Sequence, residues 1–362
     1  MGLTNSDQLA DQVEIEATID DNQFLTISKV LYKATVNEPR SVTIQVSDKE
    51  SLLKARLGAV LKLNIGRGDT IHNLNFEGIV KVIKPSNQTH TIVAMDRITA
   101  LATSEFRDFK QSDIVGQDLY FLITDAADYQ DIDVSDTLGG SGIIANADMN
   151  LSGLQKRKDF IDKCMDFMIR SYDDDFHEQT DFVRYRYAIR SANKFDLYLS
   201  DHKSRAAEPV VKISEDDANI TGQGIVAQID TTRLFNSVTA QSKSDSNIFV
   251  TLNDESSINQ YGPSSTLITL DTTNRGILEN TAYEILQAFS TPTVSYAITM
   301  HNAEWIGLGD LVRLDVPMLE KDVILPVVAY ETEVSDTLVT KLTLGEPELN
   351  LKDFVRQLQI TS

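Results

Sequence analysis

Along residues 59–65 apolar and polar side chains alternate. Ala59, Leu61, Leu63 and Ile65 fall on one side, and Val60, Lys62 and Asn64 on the other. A period of two is the pattern of a strand with one buried face. A similar rhythm begins at residues 43–46, resumes over 76–83 and returns over 89–95. Turn residues punctuate these runs, Gly66-Arg67-Gly68-Asp69 after the first and Pro85-Ser86-Asn87 between the last two. Residues 48–55 read as a short helix with Asp48 as its N-cap. Strands this short and this closely spaced predict a small barrel or sandwich over residues 13–106, preceded by an arm over 1–12.

From residue 107 to 150 the rhythm is lost, with an acidic stretch over 125–136 and a Gly-rich break over 138–142; this reads as an irregular connection. A helix is predicted over 155–172, because Phe160, Cys164, Phe167 and Met168 recur at helical spacing. Two strands, 183–190 and 195–199, then form a hairpin through Asn193-Lys194, giving an α/β subdomain over 151–220. Residues 225–229, 238–241 and 248–252 read as strands, and 293–300 alternates throughout. A helix with the stripe Leu278, Ala282, Ile285, Leu286 and Phe289 is inserted near 273–289. Two more strands, 327–330 and 339–344, complete a second barrel over 221–347, followed by a tail over 348–362. The expected fold class is mainly β with α+β parts: two tube-like β-barrels joined by a small α/β subdomain.

The two ends echo each other. Gly68-Asp69, a strand over 79–83, a turn over 85–88 and a strand over 91–95 match Gly309-Asp310, a strand over 327–330, a turn at 335–336 and a strand over 339–344. Gly68, Asp69, Gly309 and Asp310 are therefore the candidate barrel-turn residues. The alternative is a chance likeness of two β-hairpins.

Composition narrows the function. The 362 residues are 41% hydrophobic and 24% charged, enough for two to four globular subdomains. No apolar run approaches the ~20 residues that span a bilayer, and residues 1–11 lack the apolar core of a secretory signal. Cys164 is the only cysteine, so no intramolecular disulfide forms and a reducing compartment fits. Fifty-four acidic against 33 basic residues give a net charge of −21, which repels a nucleic-acid backbone. That charge either serves solubility alone or lines a channel through which DNA slides without binding.

Catalytic signatures are missing. His72, His90, His177, His202 and His301 are scattered and form no metal-binding pair. There is no Gly-x-Ser-x-Gly elbow, Walker loop or dinucleotide fingerprint. Asp131, Asp133 and Asp136 lack the glycine and closing Glu of a calcium loop. Asp173, Asp174, Asp175, Glu178 and Asp181 read as a solvated helix end rather than a glycosidase pair. Arg67-Gly68-Asp69 is better explained as a β-turn than as an adhesion tripeptide, and Trp305 as a plug at a barrel end. No catalytic, cofactor or metal residue is expected.

The first half contains Phe76-Glu77-Gly78-Ile79-Val80 and Ala94-Met95-Asp96-Arg97. The second half contains Phe235-Asn236-Ser237-Val238 and residues 257–262, 308–312 and 342–346. In this order, these segments together resemble the baseplate hub family of contractile phage tails and the related tail-tip proteins of non-contractile phages. The resemblance implies a homotrimer in which each chain gives two barrels, so that three chains form a pseudo-sixfold ring. It implies a structural rather than enzymatic role in the virion tail, after assembly in the host cytoplasm. Implied partners are the tail tube protein, a spike or fibre protein and other baseplate proteins, with DNA passing through unbound. The end of the chain about sixteen residues after Glu346 suggests a bare hub. The alternatives are a tail-associated cell-wall or polysaccharide hydrolase and a receptor-binding tail module.

Overall fold

The computed structural model describes residues 13–20, 23–67, 74–106, 110–129, 132–134, 140–146, 149, 151, 153, 155–165, 167–172, 181–189, 194–199, 211–214, 217, 219–301, 303, 305–316, 321–335 and 337–345. The first half is built of β1 (Val13–Ile19), β2 (Gln23–Phe24), β3 (Ile27–Thr35), β4 (Ser41–Val46), α1 (Lys49–Lys54), β5 (Val60–Arg67), β6 (Leu74–Lys84) and β7 (His90–Asp96). Alternation decides which face is buried. Leu61, Leu63 and Ile65 are sealed in the core, and so are Val42, Ile44 and Val46 on β4. All neighbours are antiparallel in the order β1-β5-β6-β7-β4-β3. Asp48 caps α1 by accepting from the Ser51 N–H at 2.6 Å.

The described residues between 98 and 199 fold around a separate core. Its elements are α2 (Ile98–Leu101), α3 (Gln111–Ile114), α4 (Leu119–Ala127), β8 (Asp133–Val134), α5 (Arg157–Met165), β9 (Ile169–Tyr172), β10 (Asp181–Ile189) and β11 (Lys194–Leu199), with sheet order β8-β11-β10-β9. The helix expected over 155–172 stops at Met165. Phe167 and Met168 still reach the core, but their N–H groups bond back three residues and the chain then pairs as β9 with β10. Strand pairing satisfies the backbone of 169–172 where a longer helix would leave the edge of β10 open. The connection over 107–150 also holds a helix that alternation did not reveal: α4 is apolar on nearly every face, with Leu119, Tyr120, Leu122, Ile123, Ala126 and Ala127 buried.

The remaining elements are β12 (Val211–Ser214), β13 (Ile220–Asp230), β14 (Ser237–Ser242), β15 (Phe249–Asn253), α6 (Glu255–Tyr261), β16 (Ser265–Leu270), α7 (Arg275–Phe289), β17 (Thr293–His301), β18 (Leu311–Val316), β19 (Lys321–Val334) and β20 (Leu338–Gly345). Strands β14 and β15, expected to belong to the second barrel, instead pair with each other and with β16 in the order β15-β14-β16. Helix α7 covers that sheet through Leu278, Ala282, Ile285, Leu286 and Phe289. Buried Asn236 locks this inserted layer. Its amide donates to Gly262 O at 2.8 Å and Ser257 Oγ at 3.2 Å, and its Oδ1 accepts from Ser264 N at 2.7 Å.

Outside this insertion, the second half repeats the first. Its order β12-β18-β19-β20-β17-β13 parallels β1-β5-β6-β7-β4-β3, except that β12 runs parallel to β18. A β-bulge interrupts β6 between Val80 and Val82, and a bulge interrupts β19 between Val327 and Ala329 at the same pairing position. The two units meet where β3 pairs with β19, making one 13-stranded sheet. The fold is mainly β with α+β parts, and among the described residues this sheet is open, ending at β13, at β12 and at β1 with β2.

Candidate functional site

Among the described residues no three His, Cys, Asp or Glu side chains gather as a metal-binding group. His90 accepts from the Ser86 N–H, and His301 Nδ1 lies 3.3 Å from the Leu338 carbonyl. Asp133 sits exposed on β8, whereas Asp131, Asp136, 173–180, His72 and His202 lie outside the described residues. Trp305 is partly buried and packs against the large core. An open cleft beside α4 is lined by Tyr120, Phe121, Thr124, Asp125, Asp128 and Val134, a set without a histidine, cysteine or serine.

The turn residues form a defined pair of structures. Gly309 adopts φ +78°, its N–H donates to Val327 O, and Asp310 O accepts from Val327 N, both at 2.9 Å. The Asp310 carboxylate accepts from the Gly307 N–H at 2.7 Å and closes the turn. In the first half Gly58 adopts φ +83°, its N–H donates to Val80 O, and Ala59 O accepts from Val80 N, again at 2.9 Å. The partner of Gly309-Asp310 is therefore Gly58-Ala59. Gly68 and Asp69, matched to them on sequence, lie outside the described residues. What the two turns share is a left-handed glycine ahead of the bulge; the aspartate is peculiar to the second.

The junction between the units is both ionic and buried. Glu331 and Glu333 on β19 pair with Lys33 and Lys29 on β3, each at 2.6 Å. Beneath them Tyr32 and Tyr330 stack with ring centroids 5.5 Å apart. The buried Arg40 guanidinium donates to the Tyr32 hydroxyl at 3.1 Å and to Asp96 Oδ2 at 3.2 Å. Asp96 also accepts from the N–H groups of Arg40 and Ile98. Burial pushes the Asp96 carboxyl upward, against the lowering pull of Arg40 and these N–H donors. Burial, and then Tyr32, hold the Tyr330 hydroxyl far above the ordinary phenol range. One network thus fastens β3, β7 and β19 to the turn that leads into β4.

A second fastening joins the large sheet to the α/β piece. Asn37, at φ +61° in the β3–β4 turn, donates its backbone N–H to Tyr187 O and accepts from the Tyr187 N–H through Oδ1. The Tyr187 hydroxyl lies 2.8 Å from Asn37 O and 3.0 Å from Asp162 on α5.

Edges of the sheet complete the site. Strand β13 pairs with β17 on one side, and among the described residues no strand pairs with the other. It is long and carries neither Lys nor Pro, the residues that usually blunt an edge. Ile229, in step with the core-facing Ile225 and Ala227, is 64% exposed. The outer half of β6, beyond the point where β5 ends, is likewise covered by β7 on one side only. Apolar positions on both faces of 225–229 were the available sequence signal for such an edge.

No family model and no curated protein sequence matches the chain. Solved structures do match along nearly its whole length. The tail protein from Neisseria meningitidis MC58 matches with TM-score 0.60 and 12% identity, over 96% of this chain and 99% of that one. The prophage MuSo2 tail protein from Shewanella oneidensis gives TM-score 0.55 and 12% identity, over 93% and 99%. The prophage tail protein gp18 from Listeria monocytogenes EGD-e gives 0.53 and 14%, over 95% and 98%. The fold is that of these phage tail proteins.

Proposed function

We propose that the chain is the structural hub of a phage tail baseplate or tail tip. In this reading three copies form a ring of six similar β units that joins the tail tube to a central spike or fibre and surrounds the DNA path. The observation that carries it is the repetition of one six-strand order within the chain, the two copies lying side by side in a single sheet. A chain that already contains two equivalent units needs only three copies to present six positions to a sixfold tube while keeping threefold symmetry toward a spike. The fold shared with phage tail proteins supports the same setting. The net charge of −21 suits a channel wall that does not hold phosphates.

Mass measurement in solution tests the ring. A particle of three times the 40.3 kDa chain mass, with a central opening in negative stain, is the expected result. A monomer that stays single with its tail partners present would sink the proposal. On cell-wall or polysaccharide gels the purified chain is expected to leave no cleared zone. Clearing that one carboxylate substitution abolishes would replace the structural reading with an enzymatic one.

A further inference from the structure

Among the described residues, the junction inside the chain has a counterpart whose two strands are not paired with each other. Following the strand pairings from the shared bulge, Val82 corresponds to Ala329, Ile83 to Tyr330 and Lys84 to Glu331. Carried through the neighbouring strands, Gln228 corresponds to Lys33, Ile229 to Ala34 and Asp230 to Thr35. Within the chain Thr35 faces Ala329, Ala34 faces Tyr330 and Lys33 faces Glu331. Among the described residues, the corresponding positions of β13 and β6 meet no such partner, for these strands lie far apart in the same sheet. Exposure marks the difference. Ala34 is 2% exposed beneath its junction, whereas its counterpart Ile229 is 64% exposed, and Val82 is 37% exposed.

We infer that β13 of one copy pairs antiparallel with the outer half of β6 of a second copy, in the register Asp230 to Val82, Ile229 to Ile83 and Gln228 to Lys84. The contact repeats between copies what β3 and β19 make within one. Ile229 then closes over Ile83 and continues the core across the boundary, while Gln228 and Lys84 lie on the outer face where Lys33 and Glu331 lie in the internal junction. Val36, next after Thr35, donates its N–H to the bulge residue Val328 at 3.0 Å; Thr231 and Lys81 are the corresponding pair. The ladder ends at Pro85, which has no N–H to give. Because two different edges meet, the contact is head-to-tail and propagates until it closes. The ring reading supplies only the number of copies; the contact rests on the duplicated pairing and the bare edges.

The test is a cysteine pair. Lys84→Cys with Gln228→Cys in one chain places both substitutions at exposed positions, and the only native cysteine, Cys164, is buried. Lys33→Cys with Glu331→Cys is the internal control, since it forms the corresponding bond within one chain. Under mild oxidation the first pair is expected to give covalent multimers on non-reducing gels, and the control only monomers of altered mobility. Moving one cysteine to Val226, two residues or ~7 Å along the strand, is expected to lower the yield about tenfold. Covalent species that stop at three copies uphold both this contact and the ring. Ladders that continue past three uphold the contact and reject the three-copy ring. A three-copy particle that does not cross-link overturns this register and leaves the ring standing. Chains that neither associate nor cross-link, while the internal control oxidises, overturn the contact.

Discussion

A left-handed glycine sits at the same point of both turns, Gly58 and Gly309. A β-carbon there strains the backbone by about 1–2 kcal/mol. Gly58→Ala and Gly309→Ala are therefore expected to lose similar stability in urea titrations, and a loss at one alone would argue against their equivalence. Gly78 answers a different demand: a β-carbon would collide with the Met95 carbonyl and the Phe76 ring. Gly78→Ala is expected to cost about 2–3 kcal/mol, more than either turn glycine, through overpacking. Arg40→Met strands the buried Asp96 carboxylate and is expected to cost about 3–5 kcal/mol in the same titration. These residues differ in how much the sequence revealed. The Gly309 turn is legible, but the sequence points to Gly68-Asp69 as its first-half partner because a dipeptide shows in a sequence and a dihedral angle does not. The real requirement, a positive φ followed by a carbonyl that meets the bulged strand, tolerates Ala59 where the other copy has Asp310. Nothing in the sequence marked Arg40 and Asp96 as partners, since 56 residues separate them and only strand pairing brings them together.

Among the elements, α4 depends most clearly on its cap. Asp118 accepts from the N–H groups of Tyr120, Ser141 and Gly142 and from the Ser141 hydroxyl. Burial alone would raise its carboxyl, but these donors outweigh burial and hold it below the usual aspartate range. Its stabilising effect is complete above the unfolded-state value and fades as pH falls through the lower folded one. Asp118→Ala is expected to cost about 1 kcal/mol near neutrality. It should cost progressively less under acid, as thermal melts across that pH range would register; a constant loss would refute the electrostatic account. Periodicity made α7 and most strands readable, because each has one apolar face. It could not make α4 readable, because that helix is apolar almost all round. Nor could it divide strands between sheets: β14 alternates as regularly as β17, and only the Asn236 hydrogen bonds and the α7 stripe assign it to the inserted layer.

For the whole molecule, salt separates two views of assembly. The internal junction carries two surface ion pairs, whereas the proposed contact between copies replaces them with Gln228 beside Lys84 and apolar Ile229 over Ile83. Like charge of −21 on every copy opposes the approach. Raising salt from low to physiological strength is thus expected to strengthen association, as sedimentation at a series of salt concentrations would report. Weakening would mean that ion pairs dominate the boundary. The β3–β19 junction has a mechanical consequence as well. Its two strands are tethered in one polypeptide, so they meet at an effective concentration that separate chains do not reach. Its ladder runs over six residue pairs, while the boundary between copies is cut short at Pro85. A closed ring of such chains would alternate strong and weak seams. Under load or mild denaturant it should part at the boundaries between copies, releasing whole two-unit chains before any one of them comes undone.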